Sequence, residues 1–157
     1  MSVLGRGSVF AVAFAAVLGV GMVASAQQAA PADVIAARQQ AMKALGGEMK
    51  AIGDGAKAGS LTKADATARA ARIGEVANQM GSWFPAGTGP DSGIKTAALP
   101  AIWEKPADYK TAIGEFRAAA AKLVAAAETG DNAAIQAAHG DVGKSCGGCH
   151  RPFRQRN

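Results

Sequence analysis

Cys146-Gly147-Gly148-Cys149-His150 sets two thiols and an imidazole within five residues, the C-x-x-C-H spacing at which a c-type haem is joined to protein. Each thiol can add across one haem vinyl group to form a thioether, and the histidine can offer a ring nitrogen to the iron. At about 100° of turn per helical residue, Cys146, Cys149 and His150 fall within an arc of roughly 100°, so one helix face can supply both bonds and the ligand. Other chemistries use these residue types less well here. A thioredoxin-like C-x-x-C follows a strand and opens a helix, whereas Cys146 stands late in a helical pattern. A zinc site from His139, Cys146, Cys149 and His150 has the ligand count but needs a closed tetrahedral cage. A disulfide is the usual fate of two cysteines in an oxidising compartment, and thioether formation consumes both thiols. His139 lies about 16 Å along the helix axis from His150 and cannot reach the opposite side of the same iron. It reads as a surface or groove histidine.

Covalent attachment of this kind needs export, and residues 1–26 read as a cleaved signal peptide. Arg6 gives a positive start, Val9 to Val23 is an apolar run broken only by glycines, and Ala24-Ser25-Ala26 is an A-x-A cleavage site. An uncleaved anchor is the competing reading, for which the run is short. Residues 27–157 then form one exported, periplasmic domain that is not membrane-embedded, since no second stretch approaches the ~20 apolar residues a span requires. Aromatic residues make up only 5% of the chain. Alanine, which loses no side-chain entropy in a helix, abounds. A core so poor in large side chains is thin, and a porphyrin could supply the missing apolar volume. The formal charge of +5 falls to about +2 once Arg6 is removed and two haem propionates are counted. That balance is too weak and scattered for nucleic acid.

Four amphipathic segments must position the motif. The first runs from about Asp33 to Ala58, with Ile35, Arg38, Met42, Leu45, Met49 and Ile52 at 3-4-3-4-3 spacing. The second begins near Thr62, where Thr62 and Asp65 form a capping pair, and carries Ile73, Val76, Met80 and Trp83 before Pro85. Glycines and prolines from Gly87 to Gly93 make a long irregular connection, with Pro100 to Trp103 a short helical turn. The third spans about Pro106 to Glu128 and puts Tyr109, Ile113, Phe116, Ala120 and Leu123 in phase. Gly130 ends it, and Asp131 or Asn132 caps the fourth, which carries Ile135, Ala138, Val142, Cys146 and Cys149 on one face. No strand is expected. Short first and third connections around a longer middle one predict an all-α, up-down-up-down antiparallel four-helix bundle enclosing the haem.

The motif's place a few residues from the C-terminus, with the R-x-x-x-M run Arg38 to Met42 in the first helix, resembles cytochrome c′ and its methionine-ligated relatives, the class II c-type cytochromes. Phe84-Pro85-Ala86-Gly87-Thr88, Ile102-Trp103 and Gly140 to Cys146 extend the resemblance over the mature chain. Cytochrome c′ is a known up-down-up-down bundle. The resemblance implies one haem c per chain, held through Cys146 and Cys149, with His150 as axial iron ligand. It places Leu45 and Phe84 at the distal pocket and Arg154 at the proximal one. Arg38 is charged where the periodicity wants an apolar residue, so it either snorkels outward or meets a buried anion, for which a haem propionate is suited. Met42 is either a sixth ligand, the His/Met arrangement that favours electron transfer, or a side chain packed over an open position. Met49 and Met80 read as plain core. Trp103 either packs at the haem edge or pins the connection. Arg151, Pro152 and Phe153 depart from the family pattern, and Pro152 predicts a distorted last turn that redirects Arg154.

Two functions follow, carriage of single electrons to redox partner proteins and binding of small gases such as nitric oxide and carbon monoxide. An enzyme is the weakest reading, because the matched distal positions hold no histidine or carboxylate for acid–base work. A homodimer through the first two helices is compatible with the resemblance.

Overall fold

The computed structural model describes residues 29–156. The signal-peptide reading of residues 1–26 therefore lies outside the described residues. Five helices form: α1 Pro31–Ala58, α2 Lys63–Gln79, α3 Ala101–Glu104, α4 Pro106–Thr129 and α5 Asn132–Phe153. Helix α1 packs on α2, α2 on α4, α4 on α5, and α5 closes back on α1, giving the four-helix bundle with α3 as a short addition. None of the described helices is long and apolar enough to cross a membrane.

The ends follow local chemistry. Pro31 opens α1, its fixed φ and missing N–H suited to a first helical position, so the helix starts two residues before the apolar pattern does. Thr62 caps α2 by accepting from the Asp65 amide, and Asp131 caps α5 by accepting from the Ala133 and Ala134 amides. Gly130 ends α4 at φ 76°, a left-handed conformation that glycine adopts without steric cost. Helix α2 stops short of its apolar pattern. Met80–Ser82 tightens into a 3-10 turn, and Trp83 leads into the long connection. Ile52, Ile73, Leu123 and Val142, one from each long helix, are fully buried and define the middle of the core.

Pro152 does not distort the last turn as expected. Helix α5 continues through it to Phe153, and the Arg154 amide still donates to the His150 carbonyl at 3.0 Å. The turn is braced from outside. Leu99 N donates to Phe153 O at 3.0 Å and Gln155 N to Ala97 O at 2.8 Å, producing an isolated antiparallel bridge between Ala98 and Arg154. Phe153 is buried against Ile102 and Ala112. Among the described residues no named strand forms.

Candidate functional site

One cavity of about 710 Å³ opens between α1, α4, the end of α5 and the connection at residues 96–98. Arg38, Met42, Leu45, Phe84, Cys146, Cys149, His150 and Arg154 all line it, so every site residue singled out in the sequence converges on one place. The volume falls within the range of about 300–1,000 Å³ usual for ligand and cofactor pockets.

Helix periodicity explains the convergence. Arg38, Met42 and Leu45 rise on one face of α1 by four and three residues, while Cys146, Cys149 and His150 share one face of α5's last turns. Both cysteines are free and half-buried. Burial pushes the Cys146 thiol above its ordinary pKa, and burial together with the neighbouring Cys146 pushes Cys149 up to about 11. Thiols kept protonated in this way lack the lowered pKa of redox-active C-x-x-C pairs. Desolvation, reinforced by Arg154, holds the His150 imidazole below its ordinary value and so favours the neutral form, the form that ligates a metal.

Arg38 does not snorkel. Only 5% of its surface is exposed, and it is the one charged side chain among the buried described residues. Nη1 donates to Thr88 Oγ1 at 2.9 Å, and Nη2 donates to Thr88 O at 2.7 Å and Thr96 Oγ1 at 2.8 Å. The guanidinium lies 4.6 Å from the centre of the Phe84 ring. No carboxylate forms an ion pair with it among the described residues, and burial lowers its pKa. A buried cation whose partners are all neutral, at the wall of a mostly apolar cavity that Lys43 and Arg154 also line, fits an anionic group within a larger apolar ligand. Two thiols and an imidazole beside this cation are a set of side chains that fits a covalently attached haem with its anionic propionates.

Other expectations are refined. Met49 and Met80, read as core, belong to the core and also line the cavity. Trp103 pins the connection: its indole Nε1 donates to Phe84 O at 3.0 Å and Pro85 O at 3.2 Å. His139 is half-buried away from the cavity lining, its Nε2 2.8 Å from Met49 O. Tyr109 was legible only as a helix-phase residue. It lines the cavity, stacks edge-on against both Phe84 and Phe153, and has its phenol pKa raised by burial. Of the two threonines that hold Arg38, Thr88 stood out only as the last residue of the Phe84 to Thr88 resemblance, and Thr96 carried no signal.

Known proteins resemble this chain in sequence and in fold. The family model for Cytochrome C′ matches residues 33–154. Cytochrome c-554 of Cereibacter sphaeroides is 36% identical over 141 residues, covering 88% of this chain and 92% of that protein. A shorter match of 74 residues, 46% identical, covers 47% of this chain and spans about half (55%) of another cytochrome c-554 of that species. Among solved structures, a cytochrome c′ with ligand-controlled dimer dissociation superposes with a TM-score of 0.77 at 30% identity, covering 83% of this chain and all of that one. The nitric oxide complex of a variant of cytochrome c′ from Alcaligenes xylosoxidans gives 0.75 at 28% identity, again over 83% and 100% of the two chains.

Proposed function

This chain belongs to the cytochrome c′ family and carries one covalently attached haem c, and we propose that it is a periplasmic protein for electron transfer, for binding of small gases, or for both, whose iron is held by His150. The observation that carries this reading is the convergence of Cys146, Cys149, His150 and Arg38 on a single cavity. When bound, haem would supply an iron that changes charge by one electron and can take a small ligand. The protein's residues set the rest. Cys146 and Cys149 would hold the macrocycle through thioethers, with His150 on the same helix face to ligate the iron. Arg38 meets a propionate. Met42, Leu45 and Phe84 face the distal side with apolar surface that excludes anionic and strongly hydrated ligands, while Arg154 flanks the proximal pocket.

Met42 decides between two forms of the site. As a sixth ligand it makes a six-coordinate electron carrier with no gas-binding role; packed over the iron, it leaves the position open. Its half-buried side chain at the cavity wall supports contact with that position in either form. No enzymatic step is assigned, since the described lining holds no carboxylate and its one histidine is the axial ligand of this reading. The nitric oxide complex of the Alcaligenes protein supports gas binding, and the dissociating dimer of the other structure supports a homodimer here. Residues 1–26 are removed on export.

An absorption spectrum with and without carbon monoxide separates the forms. A six-coordinate His/Met iron shows a far-red methionine-to-iron band when oxidised and binds carbon monoxide poorly; Met42→Ala then abolishes the band. An unchanged spectrum in that variant refutes ligation. The mass of the exported protein, lacking residues 1–26 and carrying one haem, tests processing and attachment together.

A further inference from the structure

Arg38 is held by the long connection rather than by its own helix. Three of the five N–H groups of a guanidinium are given to residues 50 and 58 positions away in sequence, at Thr88 and Thr96. The polarity of these bonds is fixed. Thr88 is 2% exposed, and its hydroxyl donates its own proton to Pro85 O at 2.8 Å, so a lone pair is what it presents to Arg38 Nη1. Thr96 Oγ1 accepts from Arg38 and from the Ala98 amide at 3.2 Å. Phe84 closes the other side with its ring face. The guanidinium is thereby immobilised at the cavity wall, with two N–H groups left for an anion.

We propose that Thr88 and Thr96 are positioning residues that aim the charge of Arg38 at the haem edge and so help set the iron's reduction potential. The proposal rests on the reading that Arg38 meets a propionate. A cation fixed near the macrocycle disfavours the more positive oxidised iron and raises the potential, an effect that grows as water is excluded. Valine in place of either threonine keeps the shape and removes the acceptor. One of the three bonds that hold Arg38 is then lost, the guanidinium gains freedom to shift, and its influence on the iron falls.

The test is a spectroelectrochemical titration of the haem-loaded full chain at one pH and ionic strength. Thr88→Val lowers the midpoint potential, Thr88→Ser returns it to the parent value, and Thr88→Val adds nothing in an Arg38→Gln background, because the threonine acts through the arginine. A potential unmoved by Thr88→Val while Arg38→Gln shifts it overturns the proposal, as does a shift that adds in full to that of Arg38→Gln. If Arg38→Gln itself shifts nothing, the reading of Arg38 beside the haem fails instead. Should Thr88→Val not take up haem, Thr96→Val carries the same cycle with the Thr88 contacts intact. If neither valine variant loads while Thr88→Ser does, the hydroxyls build the pocket rather than aim the cation, and the proposal is wrong.

Discussion

Truncating Phe153 to alanine should unlock the end of the helix that bears His150. Phe153 is 5% exposed, packs on Ile102 and Ala112, and meets Tyr109 edge-on with ring centres 5.5 Å apart at 88°. Removing a buried phenylalanine costs about 3–5 kcal/mol, the spread reflecting how far the surroundings collapse into the void. Against a total stability of about 5–15 kcal/mol that is a large share. At roughly 3–5 °C per kcal/mol for a chain of this size, the midpoint of thermal unfolding should drop by about 10–25 °C. Circular dichroism on the haem-loaded protein measures it. Phe153→Leu, which keeps most of the volume and loses the aromatic contact, should forfeit only about 0.5–1.5 kcal/mol. A loss under about 1.5 kcal/mol for the alanine variant would refute the view that this side chain, rather than the backbone bridge beside it, holds the turn containing Pro152.

Glu48 joins α1 to α2 by accepting from Arg72 Nε at 2.8 Å and Arg69 Nη1 at 2.9 Å. The hydrogen bond from Arg72, the larger influence, and that from Arg69 hold its carboxyl below the ordinary 4.5. The unfolded chain therefore takes up this proton first, and the stabilisation, full above that pH, disappears as pH falls through the lower folded value. Denaturant unfolding across that range should fall less steeply for Glu48→Gln than for the parent, and parallel profiles would exclude the effect. Two helix glycines should respond differently to alanine. At Gly47 a methyl meets nothing within 4 Å, so Gly47→Ala should add about 0.5–1 kcal/mol from reduced backbone entropy. At Gly53 it would stand 3.1 Å from His139 Cε1, in a ring held near Met49 O, so Gly53→Ala should bring no gain. Equal gains in thermal unfolding would show that the ring yields freely.

The parts of the molecule legible in the sequence are those decided within a turn or two of chain. Thr62 and Asp131 announced their caps, and 3-4 spacing placed Arg38, Met42 and Leu45 on the face that meets α5's cysteines. Arg38 showed itself as a charge out of pattern, although its threonine partners could not be found, because they lie across the bundle on an irregular segment. Pro152 misled for the same reason. Its local preference argues for a break, and the contacts that override it come from Leu99 and Ala97, which no periodicity links to the last helix. Trp103 likewise needed the fold to bring Phe84 O and Pro85 O to its indole.

The stretch between α2 and α3 is fastened at two distant points, to α1 through Arg38 and to α5's end through Ala97 and Leu99. Closing spans of that length forfeits entropy before any bond compensates, so topology favours helices pairing with near neighbours first and this segment seating afterwards. Residues 96–98 of that stretch line the same cavity as Cys146 and Cys149, so the contacts that fasten it also complete the cavity wall.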